Sequence, residues 1–220
     1  MDFRLTEQQR ELQDVARQFA RNELPAIAAE LERDNVPPSR DLVRRYAEMG
    51  FLGINVSEDL GGLGLGNIEA LVVLEEFAKI SSAVAFPVFE SSVGPVRAIE
   101  HFGSDPLKQR IVPKVCSGEM VVAVSMSEPD AGSALTDLKA RAERRGDTVV
   151  LNGTKRWCSG GGHADAYVVY CRMSDDPGAR AIGAVLVEKD APGLSFGPNE
   201  ELMGFRGIPS SDLNFDDCEV

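Results

Sequence analysis

Long apolar runs are missing from this chain: no stretch of eighteen or more apolar residues occurs, so a membrane-spanning helix and membrane insertion are not expected. The opening residues MDFRLTEQQR lack the basic-then-apolar order of a signal peptide, which points to a soluble, cytoplasmic protein. Metal ligands are scarce as well. The two histidines, His101 and His163, are far apart, and the four cysteines, Cys116, Cys158, Cys171 and Cys218, form no CxxC pair. Neither a zinc or other metal site nor a disulfide framework is expected from such a set. Positive charge is also short, with 23 Lys and Arg against 35 Asp and Glu and a formal net charge of −12. That balance opposes a phosphate-tracking surface, so no nucleic-acid partner is expected.

What is present is core-forming material, 43% hydrophobic over 220 residues, enough for one large domain or two small ones. The first half reads helical. Thr6-Glu7-Gln8-Gln9 has the form of a capping box, after which Leu12, Val15, Ala16 and Phe19 recur on one helical face; Pro25 is expected to end or restart that helix. Ser39 opens a second helix with an apolar stripe of Leu42, Val43, Tyr46 and Met49, and Gly50 stops it. A third runs from about Ile68 to Ile80. A fourth, from Val84 to His101, is expected to be kinked or broken by Pro87 and Pro95, and Ser104-Asp105-Pro106 opens a fifth. The run Leu60-Gly61-Gly62-Leu63-Gly64-Leu65-Gly66 reads as a flexible turn. It is not a phosphate loop, because no Lys-Ser/Thr pair follows and its spacing fits neither nucleotide motif.

After Gly118 the period changes toward two. Short strands are expected over Met120 to Ser125, Lys139 to Arg144, Thr148 to Leu151, Ala166 to Arg172, Ala181 to Val187 and Asp212 to Phe215, with Arg145-Gly146-Asp147 as a hairpin turn. The fold class is therefore α+β: an all-α helical domain over 1–118, then an antiparallel β domain over 119–220.

Two segments of the β half carry the chemistry. One is Ser127-Glu128-Pro129-Asp130-Ala131-Gly132-Ser133; the other is Leu151-Asn152-Gly153-Thr154-Lys155-Arg156-Trp157-Cys158-Ser159. Taken singly, the first is an ordinary turn sequence and Trp157 an ordinary core aromatic. Together, in this order and at this spacing, they resemble the flavin-binding signature of the acyl-CoA dehydrogenase family, with Ala134 where that family usually has Asp. A third segment, Leu202 to Ile208 followed by Leu213 to Val220, resembles the end of the family's middle domain. There Arg206 reads as a structural residue paired with a local carboxylate such as Asp216 or Asp217. Cys158 reads as a buried strand residue rather than a redox thiol.

The resemblance implies the first two domains of such an enzyme, the second barrel-like, with a C-terminal four-helix domain not present in these residues. It also implies FAD as cofactor. Met126 and Ser127 would contact the pyrimidine side of the flavin, Trp157 would pack on the ring, and Ser159 would bond near N5. Gly132 and Ser133 would meet the pyrophosphate, Ser133 also touching substrate. Phe86, Phe89 and Glu90 would line the acyl chain, although a core role for the two phenylalanines is an equal reading. The implied reaction is α,β-dehydrogenation of an acyl thioester on coenzyme A or a carrier protein, a part of fatty acid metabolism. No catalytic residue is assigned in this chain, since the base, a Glu, is expected beyond Val220; this portion alone is expected to be inactive. An electron-transferring flavoprotein as partner and a homo-oligomer, dimer or homotetramer, complete the expectation. Two alternatives stay open: a flavin oxidase or monooxygenase of the same family, and a non-catalytic split or binding subunit.

Overall fold

A reciprocal capping box starts α1 (Glu7–Asp34): the Thr6 hydroxyl accepts from the Gln9 amide, and the Gln9 side chain accepts from the Thr6 amide. The structure, a computed structural model, describes residues 4–220. Pro25 neither ends nor restarts α1, contrary to the sequence expectation. A proline inside a helix costs roughly 3 kcal/mol, but Leu24 and Leu31 are buried on either side of it. Each contributes roughly 1.5–3 kcal/mol on burial, so the helix that keeps both in the core wins.

The remaining helices are α2 (Arg40–Glu48), α3 (Asn67–Ala78), α4 (Ser82–Val88), α5 (Pro95–Phe102) and α6 (Asp105–Cys116). Ser39 caps α2 by accepting from the Leu42 amide, and Gly50 follows it at φ 72°. Of the two expected stripes, Val15 and Met49 are half exposed while their companions Ala16, Phe19, Leu42, Val43 and Tyr46 are buried. The expected break between Pro87 and Pro95 is a π turn over Phe89–Val93, closed by the Gly94 amide donating to the Phe89 carbonyl at 2.7 Å. Among the described residues no helix is long and apolar enough to cross a membrane.

One compact unit consists of the chain up to Val121 together with Leu202–Ile208; the other is Val122–Glu201 with Pro209–Val220. The helical unit is centred on four aromatic rings: Phe77 stacks on Phe19 at 5.6 Å and meets Tyr46 and Phe51 edge-on, each at 5.1 Å. The Tyr46 hydroxyl donates to the Val84 carbonyl, and burial pushes its pKa well up.

The second unit is a curled mixed sheet of β1 (Val122–Ser125), β2 (Arg141–Arg145), β3 (Thr148–Ser159), β4 (Ala166–Arg172), β5 (Ile182–Glu188), β6 (Leu194–Phe196) and β7 (Ser210–Glu219). The strand order is β1-β4-β2-β3-β7-β6, with β5 on β4. Most pairs are antiparallel, as expected, but β1 runs parallel to β4 because the chain returns through the β2–β3 hairpin before entering β4. β3 does not stop at Leu151. It passes Gly153, at φ 135° and so close to Ala140 that a Cβ would come within 2.7 Å of the Ala140 Cα, and continues to Ser159. β6, at three residues, is too short to show a period and went unanticipated.

Candidate functional site

The two signature segments meet in the sheet unit. Ser127 follows the end of β1, and its carbonyl accepts from the Arg156 amide at 2.8 Å. Beside that bond the Lys155 ammonium donates to the Met126 carbonyl at 2.9 Å and to Glu128 Oε1 at 2.8 Å. Both side chains are interior, Lys155 at 0% and Glu128 at 4% exposure. Glu128 also accepts from the Lys139 amide at 2.7 Å and the Ala140 amide at 2.9 Å. Every charged partner of this pair is hydrogen-bonded, which is what makes burial of two charges tolerable. Burial lowers the Lys155 pKa, with Glu128 pulling the other way. The Cys171 thiol is buried nearby and is pushed up to about 11 by that burial, a setting that makes it unreactive.

One residue beyond Lys155 the ladder breaks. Lys155 pairs with Leu213 and Cys158 with Ser211, so Arg156 and Trp157 together oppose Asp212 alone in a β-bulge. Trp157 sits there at φ 55°, the left-handed region that a bulky side chain rarely adopts. The bulge turns the indole outward: it is 57% exposed, with the Arg156 guanidinium 5.0 Å from the ring centroid. The Trp157 amide donates to Asp212 at 3.4 Å. Arg156 Nε is buried without a hydrogen bond, the Asp212 carboxylate lying 3.9 Å away, and Ser125 Oγ and Ser211 Oγ are likewise buried and unsatisfied. Ser159 is half-buried near the end of β3, opposite Ser210.

Gly132 and Ser133 lie exposed in the loop after β1, and nothing stands within 4 Å of where a Cβ on Gly132 would be. Ala134 is the N-cap of a single 3₁₀ turn over Leu135–Asp137 and provides no side-chain cap. Ala134→Asp is therefore expected to stabilise the protein by about 0.5–1 kcal/mol, the low end of the cap range because only one turn benefits. Urea unfolding of the two proteins at equal concentration checks it.

The expected acyl-lining residues belong to the helical unit. Phe86 and Phe89 stack at 5.4 Å, and Phe205 meets Phe86 edge-on at 5.3 Å. Glu90, in the π turn, is buried; that burial raises its carboxyl well above the usual range, with Arg40 acting against the rise. Arg206 is structural, as expected, but its partner is neither Asp216 nor Asp217. It donates to the Glu32 carbonyl at 2.8 Å and lies 3.7 Å from the Glu32 carboxylate, because Leu202–Ile208 belongs to the helical unit. Cys158 is buried, with Sγ 3.5 Å from the Val124 carbonyl.

Sequence reasoning missed the Lys155–Glu128 pair, the Arg156 guanidinium over Trp157, and Phe205. No local signal announced the first, since the expected strand stopped at Leu151, before Lys155. The other two depend on a bulge and on a distant segment that no local pattern announces.

Two family profiles match this chain. That described as the acyl-CoA dehydrogenase N-terminal domain covers residues 6–119, and that described as the middle domain covers 123–218. The mitochondrial isobutyryl-CoA dehydrogenase of Bos taurus is 38% identical over 217 residues, 98% of this chain and 51% of that protein. Among solved structures, the glutaryl-coenzyme A dehydrogenase complex with glutaryl-CoA aligns with a TM-score of 0.93 at 32% identity, covering 100% of this chain and 56% of that one. The FAD complex of PigA aligns at 0.92 and 28% identity, covering 100% and 58%. The chain thus spans about half the length of the curated relatives it matches.

Proposed function

Because this chain belongs to the acyl-CoA dehydrogenase family, we propose that it forms the FAD-holding and acyl-lining part of an enzyme that dehydrogenates an acyl-CoA thioester between its α and β carbons. The observation that carries the reading is Trp157: a bulge holds its backbone in a disfavoured conformation and leaves a large apolar ring facing outward. Strain of this kind persists where a site requires it. The donor set fits FAD. An exposed indole supplies a wall for a planar ring, and the serines at 127, 133 and 159 supply hydroxyls. Gly132 leaves room for close backbone approach, and the unsatisfied Arg156 Nε is a cationic donor.

FAD, when bound, supplies the acceptor for the hydride that leaves the β carbon. The protein's residues position and exclude. Met126 and Ser127 would present backbone and hydroxyl groups to the pyrimidine side, Trp157 would cover the ring and shield it from water, and Ser159 would bond near N5. Gly132 and Ser133 would take the pyrophosphate, Ser133 also meeting the substrate. Phe86 and Phe89 would offer apolar surface to the acyl chain, with the buried Glu90 carboxyl beside them in sequence. A glutamate beyond Val220 is proposed to remove the α-proton, with an electron-transferring flavoprotein as the onward acceptor, a homo-oligomeric assembly and a cytoplasmic location.

The test is the visible spectrum of the full-length protein before and after anaerobic addition of acyl-CoA thioesters, beginning with isobutyryl-CoA and glutaryl-CoA. Flavin bands that bleach with one thioester class are expected. Peroxide released in stoichiometric amounts under air would replace the dehydrogenase by an oxidase, and a protein that takes up no FAD would make it a binding subunit. Trp157→Ala is expected to weaken FAD binding roughly three- to tenfold, the worth of one aromatic stack, with little change in stability. Flavin fluorescence titration measures it.

A further inference from the structure

The buried Lys155–Glu128 pair has no role in the chemistry above, and burial alone gives no reason to keep it. Two desolvated charges are often no better for stability than apolar residues of the same volume. Its placement supplies the reason. Glu128 immediately follows Ser127, and Lys155 stands two residues before Trp157, so the pair lies at the junction of the two signature segments. Lys155 ties the Met126 carbonyl at 2.9 Å and Glu128 at 2.8 Å, while Glu128 reaches the Lys139 and Ala140 amides at the far end of the loop that carries Gly132 and Ser133. The Arg156 amide bond to the Ser127 carbonyl lies between them. These two side chains therefore anchor Met126 and close the loop that carries Gly132 and Ser133, and Trp157 follows Lys155 by two residues on the same strand.

We propose that Lys155 and Glu128 are positioning residues, a charged clamp that holds the Met126–Ser127 backbone, the Gly132–Ser133 loop and the Trp157 bulge in one fixed arrangement for FAD. The proposal rests on the flavin reading. A clamp differs from a merely structural pair in a measurable way. Apparent affinity falls only by the fraction of molecules that are binding-competent, so a variant that is destabilised yet still almost fully folded binds FAD unchanged if the pair is structural alone. If the pair positions the site, the folded variant is itself less competent.

The experiment compares the full-length protein with K155M/E128Q, which removes both charges together, and with the milder E128Q, which keeps the ammonium bond to Met126. Urea unfolding first establishes that each variant is folded at the temperature of the titration. FAD affinity and the flavin visible spectrum are then measured, with amide hydrogen exchange across 126–134 and 155–159 in the absence of FAD. The double variant is expected to bind FAD at least about tenfold more weakly, with a shifted flavin spectrum and faster exchange confined to those two segments. E128Q is expected to show a smaller loss in the same direction. Folded variants with affinity within twofold of the parent and unchanged exchange would overturn the clamp while leaving the flavin reading intact. A parent protein that takes up no FAD would overturn the flavin reading and the clamp's purpose with it, whatever the exchange shows. Should the double variant fail to fold, E128Q decides by the same criteria.

Discussion

Lys155→Met alone is expected to destabilise the protein by about 3–5 kcal/mol, because it leaves the Glu128 carboxylate buried without its counter-charge. The two backbone amides on Glu128 remain and keep the loss toward the lower end. The Met126 carbonyl loses its donor at the same time, adding to the cost. In K155M/E128Q the loss is expected to be smaller than in K155M, since no uncompensated charge stays inside. A double-mutant cycle by urea unfolding measures the difference as a coupling energy. Additive losses, with the double variant's loss equal to the sum of the two single losses, would show that the charges do not support each other. This stability coupling is separate from the FAD result: the first concerns whether the chain folds, the second how the folded chain is arranged.

Phe77→Ala is expected to cost about 3–5 kcal/mol, an effect of similar size with a different origin. Phe77 is fully buried at the centre of the helical unit, and three other rings, Phe19, Tyr46 and Phe51, close on it at 5.1–5.6 Å. Removing the ring leaves a cavity walled by aromatics that belong to different segments and are fixed by their own contacts, Tyr46 by its hydrogen bond to Val84. Such walls collapse poorly, which places the loss in the upper part of the range. Phe77→Leu, which refills most of the volume, is expected to recover more than half of it. Urea unfolding checks both. A loss below about 1 kcal/mol for the alanine variant would mean that the four-ring cluster is not the centre of this core.

Much of the local structure is legible in the chain itself. The Thr6–Gln9 capping box, the Ser39 cap, the break between Pro87 and Pro95 and the Gly146-Asp147 hairpin turn all stand where a few neighbouring residues place them. So does β4, whose span from Ala166 to Arg172 is the one expected for it. The family signature is legible for a related reason: its residue types stand at fixed spacing within two short windows. Local signals misled where a distant partner outweighed them. Pro25 reads as a helix end, yet the core that holds Leu24 and Leu31 carries α1 through it. The strand expected over Thr148 to Leu151 reads as ending there, yet pairing with β7 carries β3 on to Ser159.

By itself, then, the sequence determined the family, the division into a helical and a sheet-forming part, and most helix starts, because caps, periods and motif spacing are properties of adjacent residues. Only the tertiary structure decided that Lys155 finds Glu128 27 positions away and that Arg206 finds Glu32 174 positions away. It alone decided that Trp157 stands outward on a bulge. These features follow from strand register and from which segments share a core, and a shift of one residue in the register would put the strand side chains on the opposite face.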